Sequence, residues 1–296
     1  MTTPIQPVQS VAVLGLGIMG SALARHLMAG GFAVRGFDPD PQAAQRATDS
    51  GVVIASSADE AAQSVECVLT SLPSEVALTS TVDALIGGVR PEGEKTVLIE
   101  LSTLSMDSKT MARDRLSNYG IEMLDCPVSG TGAQAQTKDI VLYASGTEDA
   151  YDFCRPVFDA VARESFFLGA FGNGTRMKFI ANHLVAIHNV ASAEALALAR
   201  KSGLDPQQVF DVISSGAGTS RIFELRGPMM VEGIYTPATM KLDVWQKDMA
   251  LIQEFAMQLG ASTPLFEVTR PLYEAANAAG LGDQDTAAVH EILNRS

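Results

Sequence analysis

Val11-Ala-Val-Leu-Gly-Leu-Gly-Ile-Met-Gly20-Ser-Ala-Leu-Ala-Arg-His-Leu-Met28 is the segment that says most about the architecture. Val11 to Leu14 read as a short buried strand, Met19 to Met28 as a helix, and a GxGxxG turn joins the two. Each glycine has its own duty. Gly15 permits the tight turn, Gly17 lets backbone approach a pyrophosphate, and Gly20 allows the helix to pack against the strand. Gly15, Leu16, Gly17, Ile18, Met19 and Gly20 are therefore candidate cofactor residues, with the pyrophosphate lying on the free N–H groups where the helix starts. A generic glycine turn is the plainer alternative, and the strand before it and helix after it count against that.

Beyond this turn, Ala33 to Phe37 form a second strand and Asp38 closes it, eighteen positions after Gly20. A carboxylate there accepts hydrogen bonds from both adenosine ribose hydroxyls and repels a 2′-phosphate. Pro39 and Asp40 follow, with no Arg to receive that phosphate, so NAD is expected over NADP. A helical Pro41 to Asp49 comes next. Strands at Cys67 to Thr70, Thr96 to Ile99 and Ile121 to Leu124 continue the alternation, which implies a parallel sheet covered on both faces. Two later runs, Ile140 to Tyr143 and Ser165 to Leu168, are expected to extend that sheet.

After Gly169 strand-like runs almost vanish. Gly172-Asn-Gly174 opens a helical pattern reaching about Lys201, and further helices are expected from Pro206 to Ile213, Thr219 to Met230, Leu242 to Leu259, Pro264 to Ala279 and Thr286 to Leu293. Asp205 before Pro206, and Ser262-Thr263 before Pro264, can cap helix starts. The fold class is α/β: a Rossmann-type, doubly wound, mainly parallel sheet over residues 1–170, then an all-helical domain over 171–296 that opens with a long interdomain helix.

The bulk properties narrow the function. The chain has 296 residues, 47% of them apolar and 19% charged, as in an ordinary globular enzyme. With a net charge of −13 and no basic run, neither nucleic acid nor an anionic membrane is an expected partner. Cys67, Cys126 and Cys154 form no CxxC pair, and His26, His183, His188 and His290 lack ligand spacing, so no metal site is expected. Cys126 reads as a small core residue, and His183 and His188 as buried helix histidines. Met1 to Ser10 lack the order of a signal peptide, and Phe179 to Ala199 is too polar to span a bilayer, which points to the cytoplasm.

Four blocks, in sequence order and spread over nearly the whole chain, resemble the β-hydroxyacid dehydrogenase family. That family includes 3-hydroxyisobutyrate dehydrogenase, tartronate semialdehyde reductase and L-threonate dehydrogenase. The blocks are Gly15 to Gly20, Asp125-Cys-Pro-Val-Ser-Gly130, Gly172-Asn-Gly-Thr-Arg-Met-Lys178-Phe-Ile-Ala-Asn182, and Lys247-Asp-Met-Ala-Leu251. Lys178 and Asn182 lie four apart on one helix face. A lysine desolvated between two domains can approach a neutral pKa and take the proton of an alcohol that loses hydride, while Asn182 holds the substrate hydroxyl or carboxylate. A solvated surface lysine is the bland reading, and apolar Met177, Phe179 and Ile180 oppose it.

The resemblance implies further that Ser129, Gly130 and Thr131 present N–H groups and hydroxyls to a substrate carboxylate. The family often has a second glycine where Thr131 stands. Thr103 should lie near the nicotinamide, Lys247 should face the cofactor, and Leu72-Pro73 should line the adenosine side. Asp248 reads as orienting Lys247. Val185 replaces the glutamate of 6-phosphogluconate dehydrogenases, which opposes assisted decarboxylation, and Lys178 opposes an imine reductase. Gly218 to Arg226, Tyr235-Thr-Pro237 and Ala279 to Val289 look most like the L-threonate branch and are expected to shape the substrate end of the cleft. The expectation is an NAD-dependent dehydrogenase for a small anionic 3-hydroxy acid, working as a homodimer or homotetramer. Tartronate semialdehyde reduction, and a non-catalytic NAD-binding scaffold, are the alternatives.

Overall fold

The computed structural model describes residues 8–88 and 95–295, so most of the N-terminal stretch read for a leader lies outside the described residues. The chain divides into two compact units, Met1–Lys178 and Phe179–Ser296.

Six strands of the first unit form one parallel sheet: β1 (Ser10–Leu14), β2 (Ala33–Phe37), β3 (Val53–Ile54), β4 (Cys67–Thr70), β5 (Thr96–Glu100) and β6 (Ile121–Asp125). Their order is β3-β2-β1-β4-β5-β6, so the chain reverses direction across the sheet between β1 and β4. In such sheets ligands bind beyond the strand C-termini at that reversal. Helices α1 (Ile18–Ala29), α2 (Pro41–Asp49), α3 (Ala58–Ala61), α4 (Glu75–Gly87) and α5 (Met106–Ser117) link the strands.

Period-two alternation in β1 sorts the core into two layers. Val11 and Val13 join Leu23 and Leu27 of α1 on one face. Ala12 and Leu14 face Leu78 and Val82 of α4 and Leu116 of α5 on the other. The central strands β4 and β5 are thus buried on both sides, which is why each reads as a mainly apolar run, whereas β2 and β3 nearer the edge alternate or are exposed.

The late strands do not extend this sheet, contrary to expectation. β7 (Val128–Ser129), β8 (Val141–Ala144) and β9 (Glu164–Phe167) make a separate sheet, with β7 antiparallel and β9 parallel to β8. After β6 the chain turns at Pro127, and only the antiparallel bridge between Asp125 and Ser145 joins the two sheets among the described residues. One antiparallel residue pair cannot continue a parallel ladder. Helices α6 (Gly132–Gln136) and α7 (Glu148–Val161) complete the unit, and Cys154 and Phe158 of α7 join the α1 layer.

Helix α8 (Asn173–Lys201), 29 residues long, starts in the first unit and continues into the second. The second unit then holds α9 (Pro206–Ser214), α10 (Arg221–Glu232), α11 (Leu242–Gln258), α12 (Pro264–Ala276) and α13 (His290–Arg295). Asp205 caps α9 through the Gln208 N–H, as expected, whereas Thr263 makes no side-chain cap on α12. Helix α12 stops at Ala276 rather than Ala279, because a π turn follows and Gly280 takes a left-handed φ of 82°. Thr286–Val289 is a 3-10 turn that leads into α13. Among the described residues no helix is long and apolar enough to cross a membrane.

A buried carboxylate knits this unit. Asp285 accepts the Arg226 Nε–H at 3.0 Å, the Met240 N–H at 3.0 Å, and both the N–H and hydroxyl of Thr239. His290 is fully buried, with Nδ1 3.0 Å from the Ala193 carbonyl of α8. Burial holds its imidazole below the ordinary pKa, and Arg200 pushes the same way against the Ala193 carbonyl and Glu291. Burial shifts His183 in the same direction. As pH falls through about 6.5 the unfolded chain binds the proton first, so this stabilisation is complete above that pH and lost below it. The urea midpoint should therefore fall between about pH 7 and 5.5, and His290→Gln should shrink that fall. An equal fall in the variant would exclude His290 as its source.

Candidate active site

The three glycines of the first turn meet three different surroundings. Gly15 has a φ of 91°, and a Cβ there would strike the Ser71 carbonyl after β4. A Cβ on Gly20 would strike the Gly15 carbonyl and lie 3.6 Å from Val13. Among the described residues, chain neighbours aside, nothing lies within 4 Å of where a Gly17 Cβ would stand. So Gly15 and Gly20 are fixed by the fold, while the space before Gly17 is left for a ligand. Helix α1 has no side-chain cap at its start, which suits it to an anion. Asp38 sits at the end of β2, its Oδ2 accepting the Leu16 N–H at 2.6 Å and its Oδ1 accepting the Asp40 N–H at 2.8 Å. Asp40 turns its own side chain to cap α2. These residues fit a dinucleotide.

Leu72, Pro73 and Thr103 stand on the neighbouring turns. The Leu72 N–H donates to Ser102 Oγ at 2.8 Å, and the Ser102 N–H donates to Glu100 Oε1 at 3.0 Å, so the turns after β4 and β5 are tied together. The Ser129–Thr131 turn lies nearby, because a Cβ on Gly132 would strike Ile18 of the glycine turn. Gly130 has a φ of 142° and packs against Ile140, where a Cβ would come within 2.7 Å. Thr131 has a local duty: its hydroxyl accepts the Gln134 N–H and its own N–H donates to Gln134 Oε1, forming a capping box on α6.

Lys178 is buried, 8% exposed, on the second turn of α8. The start of that helix rests on Asp125 and Thr175, which lie inside two of the quoted blocks, and on Lys109 and Glu100, which lie outside all four. Asp125 accepts the Thr175 N–H and hydroxyl, both at 2.7 Å, and the Lys109 ammonium at 2.8 Å. Lys109 is itself completely buried and lies 2.7 Å from Glu100 Oε2. Burial pushes this ammonium down, but Asp125 and Glu100 outweigh it and raise its pKa above the ordinary value. A signal was present in the sequence. Glu100 and Asp125 end adjacent strands and pair in register, and two buried carboxylates side by side require a cation.

In the second unit Asn182 is 5% exposed and donates through Nδ2 to Asp248 Oδ2 at 2.9 Å. A carboxylate only accepts, so the amide nitrogen must face Asp248 and the carbonyl oxygen is the opposite end. Lys247, whose side chain is 40% exposed, lies 3.7 Å from Asp248 Oδ1. Asp248 thus holds Asn182 as well as Lys247. Cys126 is buried and His183 stacks on Phe266, both packing residues. Among the described residues no group of three His, Cys, Asp or Glu could hold a metal ion.

Residues 10–169 match the model of the NAD binding domain of 6-phosphogluconate dehydrogenase, and residues 172–293 match the NAD-binding model of NADP-dependent 3-hydroxyisobutyrate dehydrogenase. The chain is 32% identical to an L-threonate dehydrogenase of Cupriavidus necator, over 96% of each chain. It is 33% identical to one of Pectobacterium atrosepticum, over 96% of this chain and 94% of that one. A solved 3-hydroxyisobutyrate dehydrogenase from Mycobacterium tuberculosis superposes with a TM-score of 0.87 at 31% identity, over 97% of this chain and 99% of that one. The chain belongs to the β-hydroxyacid dehydrogenase family, 3-hydroxyisobutyrate dehydrogenase-like, whose members are NAD(P)-dependent oxidoreductases.

Gly17→Ala should leave thermal stability nearly unchanged while weakening dinucleotide binding, because the new methyl enters space reserved for the ligand. Gly20→Ala should lower stability by about 1–3 kcal/mol, the usual cost of overpacking. Melting curves and NADH fluorescence titrations of both variants check the contrast, and equal behaviour would contradict it.

Proposed function

We propose that this enzyme oxidises a small polyhydroxy or 3-hydroxy carboxylate of the threonate, glycerate or 3-hydroxyisobutyrate type, with NAD and with Lys178 as general base. The reading rests on one observation: a lysine only 8% exposed stands one helical turn before Asn182, an amide whose nitrogen is committed to Asp248. The carbonyl oxygen of Asn182 then serves as an acceptor, better suited to a substrate hydroxyl or a lysine N–H than to a carboxylate. The carboxylate falls to Ser129 and the Gly130 turn. Thr131, whose N–H is held by Gln134, contributes chiefly by fixing that turn.

A nicotinamide dinucleotide held by the Gly15–Gly20 turn and Asp38 would supply the hydride acceptor for this oxidation. Lys178 Nζ takes the hydroxyl proton in oxidation and returns it in reduction. Burial keeps water from competing for that proton. The L-threonate relatives favour a substrate with more than one hydroxyl, and the carbonyl of Asn182 suits the second of them. Asp38 supports NAD over NADP: backbone N–H groups hold both its oxygens at the end of β2, and a carboxylate so held would repel a 2′-phosphate brought to it.

Lys178→Ala should cut turnover by ~100- to 10,000-fold while NADH affinity changes little. The check is an NAD-reduction screen over threonate, erythronate, glycerate and 3-hydroxyisobutyrate. Near-full activity in the variant would remove Lys178 from the chemistry, and NADH binding without turnover on any acid would leave a cofactor-binding scaffold. Asp38→Ala should narrow the ratio of kcat/KM for NAD over NADP. An unaltered ratio would place the selection elsewhere.

A further inference from the structure

Helix α8 brings no cap of its own to its buried start. Its first three N–H groups are met by three other parts of the first unit: Asn173 by the Ala170 carbonyl at 3.1 Å, Gly174 by Ser145 Oγ at 2.9 Å, and Thr175 by Asp125 Oδ2 at 2.7 Å. Gly174 is pressed onto the strand ends so closely that a Cβ would strike the Tyr143 carbonyl and lie 2.6 Å from that of Asp125. One face of α5 forms the floor. Met106 packs where a Cβ on Gly172 would go, Lys109 holds Asp125, and Arg113 lies 4.8 Å over the Phe171 ring. These three stand at helical spacing, so a single stripe of α5 supports the segment from Phe171 to Thr175.

Lys109 also reaches the other loops of the site. Through Glu100 and Ser102 it is linked to the Leu72 turn, and through Asp125 to the Cys126–Gly130 turn. Two carboxylates share its single ammonium. The triad as a whole is left with one net negative charge, and its Asp125 member stands at the positive end of α8. A buried ion triad is a poor source of stability compared with apolar packing. Its place here, where the turns after β4, β5 and β6 meet the start of α8, suits positioning instead.

We infer that Lys109 is a positioning residue for catalysis: by holding Asp125 as an ionised cap on α8, it fixes where Lys178 stands, less than one helical turn beyond Thr175. The inference rests on Lys178 being the base. Lys109 itself touches neither substrate nor cofactor.

The test compares Lys109→Met, the double variant Lys109→Met/Glu100→Gln, and Thr175→Val, each as the full chain. Folding is checked by circular dichroism and cofactor binding by NADH titration. Lys109→Met leaves two carboxylates facing each other without their cation, and each like charge then favours protonation of the other. Its kcat should fall ~10- to 100-fold, as expected for a sub-ångström to ångström displacement of a reacting group. KM should change far less, and kcat should gain a new limb that rises with pH as the shared proton leaves. The double variant removes one charge of each sign and leaves Asp125 alone on the helix. It should recover most of the lost kcat and lose the new limb. Thr175→Val keeps the N–H bond to Asp125 but removes the hydroxyl bond, so it should lower kcat with NADH affinity intact. It carries the test if Lys109→Met does not fold.

A folded Lys109→Met with unaltered kcat would overturn the proposal. So would a double variant as impaired as the single one with no change in pH profile, or a Thr175→Val indistinguishable from the parent. Lys178→Ala in the same assay separates the two ideas. If it is inactive while Lys109→Met is fully active, the base stands and the positioning role falls. If Lys178→Ala retains turnover, the base assignment falls first and takes the positioning role with it.

Discussion

The carboxylate of Asp125 anchors the first unit. It ends β6, opens the Cys126–Gly130 turn, receives the Lys109 ammonium and caps α8 through Thr175. Ser145 adds a fourth donor at 3.3 Å. A carboxylate offers about four lone-pair sites; three are met by Lys109 and Thr175, and Ser145 shares its one hydrogen between the fourth and the Asp125 carbonyl at 3.1 Å. Removing an ion from water costs several kcal/mol, and only a full set of donors offsets that. The turn after β6 and the start of α8 therefore cannot shift independently. On the proposed reading, with Lys178 as base, proton transfer requires that restraint, because a base must keep within hydrogen-bond reach of the alcohol.

How much of this is legible in the sequence follows from what periodicity can encode. The parallel strands are readable wherever an apolar run of four or more residues is buried on both faces, as in Cys67–Thr70 and Thr96–Glu100. The two-residue strands β3 and β7 leave no pattern at all. The runs that form β8 and β9 read as strands, but their partners do not follow, since propensity marks a strand and says nothing of its neighbour. That neighbour is set by Pro127, which turns the chain out of the first sheet. The end of α12 is masked for a related reason. Asn277, Ala278 and Ala279 carry the helical pattern onward in composition, and the break lies in backbone geometry that culminates at Gly280.

The site shows the same division. Local chemistry is readable: the glycine turn, Asp38, and the Lys178–Asn182 spacing each announce themselves within a few residues. Lys109 is hidden because its immediate neighbours, Ser108 and Thr110, are polar, and a lysine amid polar residues reads as solvent-facing. Its burial follows from Glu100 and Asp125, nine residues before it and sixteen after it in sequence, meeting in register on adjacent strands. Thr131 reads through the resemblance as a substrate contact; the side chain that replaces a glycine there is occupied in capping α6.

The second unit sharpens what its likeness to L-threonate dehydrogenases can mean. The three stretches whose sequence reads as most like that branch converge on Asp285. Arg226 comes from the first, the Tyr235 carbonyl of the second accepts the Asp285 N–H at 3.0 Å, and Asp285 belongs to the third. Thr239 and Met240 close the ring of donors. Such a centre forces these segments to be kept together: an Arg226 without Asp285, or Asp285 without Thr239, would leave charge or polar groups buried and unpaired. Part of the likeness is accordingly a packing requirement. Under the proposed function, substrate choice rests instead on side chains that this centre does not consume, and Asn182, whose amide nitrogen is held by Asp248, offers its carbonyl oxygen to a hydroxyl.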